Sequence, residues 1–235
     1  GMSGVKQINM SEVESEYIMV LDSDNFGEVM VAGAGYTNVK VEVEAFKGGH
    51  SGNDIGDKTR VNAAKLLADV ISALPQGVYK EDEEGVVTSI NLGVILGGGV
   101  DYPLQKMCKQ DLKSGEHFDY LIENGVTNVI NKKGAAIYSL RSSDTQAEAN
   151  LMAEMQAIVN KFNKEYDGIA KVTLTAKVKT PKFEKNNDTT IPDVAKLVGK
   201  ETGVDVKVAS FHAGAETNVY ANEKNNFGKV FKPYL

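Results

Sequence analysis

The chain has 235 residues, 42% of them hydrophobic and 25% charged, the composition of a globular protein with a buried core. A net charge of -6 and the absence of any basic run exclude a surface that tracks phosphates, so neither nucleic acid nor membrane is expected as a partner. No apolar stretch nears the roughly 18 residues that span a bilayer, and GMSGVKQINMSEVESEY has neither a basic nor an apolar leader region, so a cytoplasmic location is expected.

Gly1 ahead of Met2 reads as an expression scar. YIMVLDSD (17–24) reads as a short buried strand running into an acidic loop, and FGEVMVAGAG (26–35) as a second strand ending in glycines. Residues 38–46, NVKVEVEAF, alternate strictly, with Val39, Val41, Val43 and Ala45 on one face. After the glycine-rich loop FKGGHSGNDIG, residues 57–74 carry Val61, Ala64, Leu67, Val70, Ile71 and Leu74 at helical spacing, ending at Pro75. VVTSINLGVI (86–95) and GAAIYSL (134–140) read as strands around a polar, partly helical insertion at about 100–125. That insertion holds the single cysteine, Cys108, which has no disulfide partner and reads as an unreactive side chain.

A helix over 144–166 follows, capped by Ser143 or Asp144, with Ala147, Leu151, Met155, Ile158, Val159 and Phe162 on one face. IAKVTLTAKV (169–178) is an alternating strand. From 38 to 179 the order is strand, helix, strand, strand, helix, strand, which predicts an α+β, ferredoxin-like βαββαβ unit: an antiparallel sheet with both helices on one face and the other face open to a partner. Beyond it, a loop leads into a helix from about Ile191, with Pro192 in its first turn, and VDVKVASF (204–211) is a strand.

Polar clusters close several strands. Asp22 in LDSD is placed either to hold a divalent metal or to hydrogen-bond local backbone as a turn residue. His50, between glycines that let a ligand come close, is either a donor to a developing oxyanion or a plain loop histidine. His212 and Glu216 stand four apart without a helix between them, and serve either a site or the cap of a helix beginning near Thr217. Arg141, at the end of IYSLR, offers a planar fork to a carboxylate or makes a surface salt bridge. LGGG (96–99) does not match a phosphate loop, and Lys132–Lys133 reads as a solvated turn.

Taken together and in order, EYIMVLDSDNFGEV, FKGGHSGNDIGDKTRVNAAKLLA, TNVINKKGAAIYSLRSS and ASFHAGAETNVYANEKN resemble the di-zinc peptidase family of peptidase T, Xaa-His dipeptidases, carnosinases and carboxypeptidase G-type enzymes. The resemblance implies a catalytic domain that binds two zinc ions, and a lid inserted into it that forms a homodimer. Residues 1–37 and 180–235 then match pieces of the α/β catalytic domain, and 38–179 the lid. Asp22 matches a zinc ligand, and His50 a lid histidine that reaches across the dimer to an oxyanion. Arg141 matches the anchor of a peptide substrate's carboxylate, and Asn128 a lining residue of the same pocket. His212, Gly214 and Glu216 match the loop bordering the substrate, in the HAG form of the Xaa-His dipeptidases rather than the GGTD form of peptidase T.

The family also uses an HxD motif, a bridging aspartate, a Glu-Glu pair and a histidine near the C-terminus; of its zinc-site residues only Asp22 is matched, with no HxD or Glu-Glu ahead of it and no histidine after FGKVFKPYL. One carboxylate cannot hold a tetrahedral zinc or activate its water, so hydrolysis by this polypeptide alone is not expected. A stand-alone ferredoxin-like dimerisation or binding module is the alternative.

Overall fold

The computed structural model describes residues 2–23, 25–83, 85–97 and 125–235. In chain order these form α1 (Met2–Val5), β1 (Tyr17–Met19), β2 (Glu28–Gly33), β3 (Gly35–Ala45), β4 (Gly49–His50), α2 (Ala63–Ala73), β5 (Gly77–Glu81) and β6 (Val87–Gly97). They continue as β7 (Val129–Ile130), β8 (Lys133–Ser142), α3 (Thr145–Glu165), β9 (Ala170–Thr180), α4 (Thr190–Thr202), β10 (Lys207–Phe211), α5 (Glu216–Tyr220) and β11 (Lys232–Tyr234). Asp24, most of the expected insertion at 100–125 and Cys108 lie outside the described residues.

The centre of the molecule is a five-stranded antiparallel sheet in the order β5-β6-β8-β3-β9. The strict alternation in β3 makes this possible: Val39, Val41, Val43 and Ala45 are buried, while Glu42 and Glu44 face water. Opposite them in register stand Tyr138, Ala136 and Gly134 of β8 and Ala176, Leu174, Val172 and Ala170 of β9. Two helices cover that face and fill one core with it, Leu66, Leu67 and Val70 from α2 and Leu151, Met155 and Val159 from α3. The burial of each such side chain contributes about 1.5–3 kcal/mol.

Helix α3 begins where Asp144 accepts hydrogen bonds from the amides of Gln146 and Ala147, both at 2.9 Å, and its buried stripe of Ala147, Leu151, Met155 and Val159 follows the expected face. Helix α2 starts six residues later than its apolar pattern suggests. Asn62 caps it through bonds from Ala64 and Lys65, and the residues before it are taken by a loop. Its buried stripe is Ala63, Leu66, Leu67 and Val70, while Ala64 and Ile71 are only half-buried. β5 was not apparent in the sequence, and it pairs along β6 as an edge strand with most of its side chains exposed.

The flanking segments form a second, parallel arrangement. β1 pairs with β11, and β2 with β10. Bonds from Val20 N to Tyr234 O (2.8 Å) and from Met30 N to Leu235 O (2.7 Å) hold the β11 segment between β1 and β2. The Lys232 ammonium sits between Glu16 Oε1 (2.6 Å) and Asp188 Oδ2 (2.7 Å), with the Tyr17 hydroxyl donating to the same Asp188 oxygen at 2.9 Å. Beside this layer an apolar groove of about 380 Å³ runs between β2 and α4, lined by Met19, Phe26, Val29, Val194 and Val198. Phe26 is 92% exposed and Leu21 91%, which leaves this flank uncovered. Among the described residues no helix is long and apolar enough to cross a membrane.

Candidate functional site

His50 is set by the short β4–β7 ladder, in which Gly49 faces Ile130 and His50 faces Val129. The Ser51 amide donates to Asn128 O at 3.0 Å and the His50 amide to Asp54 Oδ2 at 2.8 Å, so the backbone on both sides of the ring is tied down. Asp54 in turn faces Arg60, 3.4 Å away, whose guanidinium also binds Asp57 at 2.9 Å and the Gly48 carbonyl. Hydrogen bonds from the Thr59 hydroxyl and amide hold the Asp57 carboxyl down at about 2.

Gly48, Gly49 and Gly52 of this loop are there for close approach, since none of them has a positive φ and a Cβ on each would press on a neighbour. A Cβ on Gly49 would lie 2.6 Å from Asp54 Oδ2, and one on Gly52 would lie 3.1 Å from the His50 ring. The Gly52 amide donates to His50 Nδ1 at 3.1 Å, which leaves that nitrogen bare and puts the proton of the neutral ring on Nε2. The Asn128 side-chain amide lies 3.2 Å from Nε2. Donor must meet acceptor, so the network closes with the amide turned to bring its oxygen to Nε2–H. An anionic oxygen that displaces the Asn128 carbonyl from Nε2–H meets that N–H and the Asn128 amide together, so His50 and Asn128 form one exposed donor pair.

Arg141 sits at the far end of the same sheet. Its register partners are Tyr36 on β3 and Ser89 on β6, and its guanidinium lies over the Tyr36 ring at 5.1 Å. It makes no ion pair among the described residues. His212, at the end of β10, comes against this corner with Nε2 at 2.7 Å from Ser89 Oγ. Partial burial of its ring, and then the Arg141 charge, push the His212 pKa below the usual imidazole value and so favour the neutral ring.

The loop of His212, Gly214 and Glu216 is held by a residue the sequence did not single out. Asn218, fully buried in α5, accepts from the Ala215 amide at 2.9 Å and donates to the carbonyls of Pro181 (2.9 Å), Gly33 and Ala34 (both 3.2 Å). Helix α5 starts at Glu216 with Ala215 before it, so neither His212 nor Glu216 serves as its cap residue.

The expected residues therefore gather in separate places. His50 and Asn128 lie where Glu44 pairs with Lys133, and Arg141 and His212 where Tyr36 pairs with Arg141. Eight residues of β8 separate the two ends, about 27 Å at the rise of an antiparallel strand. Asp22 is exposed beyond β1, and among the described residues no three His, Cys, Asp or Glu side chains converge to hold a metal ion. The described residues do not make up a metal centre by themselves. Tyr36, Ser89 and Asn218 were missed because only strand register, or contacts across 123 and 185 residues of chain, bring them to the site.

No family model matches the chain, and no curated protein does. Solved structures do. Aminopeptidase PepT from Bacillus cereus superposes with a TM-score of 0.70 at 21% identity over 100% of this chain and 52% of its own. A tripeptidase from Staphylococcus aureus gives 0.70 at 17% identity, again over 100% and 52%. Aminoacylhistidine dipeptidase from Vibrio alginolyticus gives 0.55 at 15% identity, over 100% and 61%. The chain shares the fold of these peptidases and spans about half the length of the first two.

Proposed function

We propose that this chain is the lid, residues 38–179 with a ferredoxin-like topology, together with adjoining pieces of the catalytic domain (1–37 and 180–235) of a cytosolic zinc-dependent exopeptidase that hydrolyses di- or tripeptides. The observation that carries the reading is the separation of two incomplete groups. His50 with Asn128 offers donors for an oxyanion but has no carboxylate anchor, while Arg141 with His212 offers an anchor about 27 Å away on the same sheet. A homodimer formed through the lid brings His50 and Asn128 of one copy to the Arg141 end of the other.

Within that assembly Arg141, stiffened by the Tyr36 ring, grips the peptide's terminal carboxylate, a planar fork on a planar acceptor. His50 Nε2–H and Asn128 meet the oxygen on which negative charge develops, a contact stronger in the transition state than in the bound peptide. Asp22 is the one metal ligand expected in this chain. The remaining ligands and the base belong to residues other than those described, and the bare flank along Phe26 and α4 is the surface such residues would cover. This polypeptide alone is accordingly inactive.

Sedimentation equilibrium and hydrolysis of di- and tripeptides with added zinc test the reading together. A dimer without hydrolysis above background is expected. Turnover by this chain would overturn its inactivity, and a strict monomer the completion of the site in trans. The lack of a metal cluster among the described residues favours, as the second reading, a binding or dimerisation module without catalysis. In an enzyme restored to full length, His50→Ala separates the two, abolishing most turnover at unchanged stability only if the peptidase reading holds.

A further inference from the structure

The contact between Ser89 and His212 joins the central sheet to the loop after β10, across 123 residues of chain. At 2.7 Å it is a short hydrogen bond, and either partner could supply the proton. The charge of Arg141 bears on which. Ser89 stands directly opposite Arg141 in the β6–β8 ladder, so the two side chains rise from one face of the sheet, and the Arg141 charge is felt at His212 as well. A neighbouring cation turns hydroxyl lone pairs toward itself and the hydrogen away, here toward the imidazole.

We propose that Ser89 is a positioning residue: its hydroxyl donates to His212 Nε2 and fixes the ring as the Nδ1–H tautomer, which offers a neutral N–H donor beside Arg141 to a ligand carboxylate. The proposal rests on the reading of Arg141 as a carboxylate anchor, and it adds the two residues that shape that anchor. Tyr36 holds the guanidinium from below at 5.1 Å, and Ser89 orients the ring beside it. Burial and the adjacent charge both disfavour the imidazolium, so selectivity for a carboxylate comes from one cation plus one neutral donor in fixed directions rather than from two mobile cations.

Long-range 1H–15N correlation spectra of the imidazoles in this chain test the proposal without relying on hydrolysis. His212→Asn identifies the His212 signals among those of three histidines. At neutral pH the wild-type ring is expected to show a protonated Nδ1 and a bare Nε2. Ser89→Ala removes the donor and returns the ring toward the Nε2–H form that a free imidazole prefers, and Ser89→Thr, which keeps a hydroxyl, restores the wild-type pattern. An Nε2–H tautomer in the wild type, or the same pattern in Ser89→Ala, overturns the proposal.

N-acetylglycine titrations followed on the same signals read the second link. The misplaced donor in Ser89→Ala is expected to weaken carboxylate binding roughly three- to tenfold, the worth of one hydrogen bond. Equal affinities in wild type and Ser89→Ala overturn the role in binding. If the wild-type tautomer stands but no carboxylate binds to either protein, the anchoring part of the proposed function fails while the assignment of the Ser89 hydrogen bond is supported.

Discussion

Replacing Asn218 by alanine tests the junction on which the candidate loop hangs. The side chain is fully buried and makes four hydrogen bonds. Its loss does not strand Gly33 O, which keeps the bond from Phe183 N at 2.9 Å. The Ala215 amide and the carbonyls of Ala34 and Pro181 lose their Asn218 partner. At about 1 kcal/mol each for a hydrogen bond lost in the interior, the cost comes to about 3 kcal/mol. For a chain of this size, where 1 kcal/mol moves the melting temperature by about 2–4 °C, the midpoint should fall by roughly 6–12 °C. Asn218→Asp should be worse, because it keeps an acceptor for Ala215 N–H but sets a carboxylate oxygen against two or three carbonyls. Thermal unfolding followed by circular dichroism reads both. A fall of less than about 2 °C for Asn218→Ala would show that water or a shifted loop meets these groups, and would refute the hub assigned to Asn218.

The Asp57 loop should respond to acid. Its carboxyl titrates at about 2 in the folded chain against 3.8 ordinarily. The stabilisation is therefore complete above about pH 4 and is lost as the pH falls toward 2. The protection factor of the Thr59 amide, its exchange rate taken relative to the intrinsic rate at each pH, should fall across that window, and a flat protection factor would sever Asp57 from the loop that carries His50. Tyr138 lies in the core with a hydroxyl that has no hydrogen-bond partner among the described residues, and burial raises its pKa to about 12. Tyr138→Phe should therefore leave stability unchanged or raise it by about 1–2 kcal/mol, and a loss of that size in urea unfolding would mean that the hydroxyl has a partner.

How far the sequence reveals this molecule depends on the distance over which each signal acts. The alternation of Val39, Val41, Val43 and Ala45 is local, and it places the core face of β3 correctly. The cap and stripe of α3 are local too, with Asp144 the cap residue of the two considered. The start of α2 misleads because Asp57, Thr59 and Arg60, which could begin a helix, spend their polar groups on one another and on Asp54 and Gly48. β5 has no alternation to betray it, and it is a strand because β6 offers it an edge. His50, Arg141 and His212 were picked out by residue type, and Asn128 by the family resemblance. That they form two pairs at opposite ends of a sheet is a matter of register, and no local pattern encodes it.

The parallel pairing of β1 with β11 bears on the order in which the molecule assembles. Every strand of the central sheet lies between residues 35 and 180, so that unit can close on itself as soon as its own residues are available. β1 must wait for a strand more than two hundred residues away along the chain. During synthesis, therefore, the sheet is complete about fifty residues before the outer layer has its fourth strand. Closing so long a loop is slow. In the interval Ile18 and Met30 stand without their neighbours Pro233 and Leu235, and it is there, rather than in the sheet, that this protein should call on a chaperone.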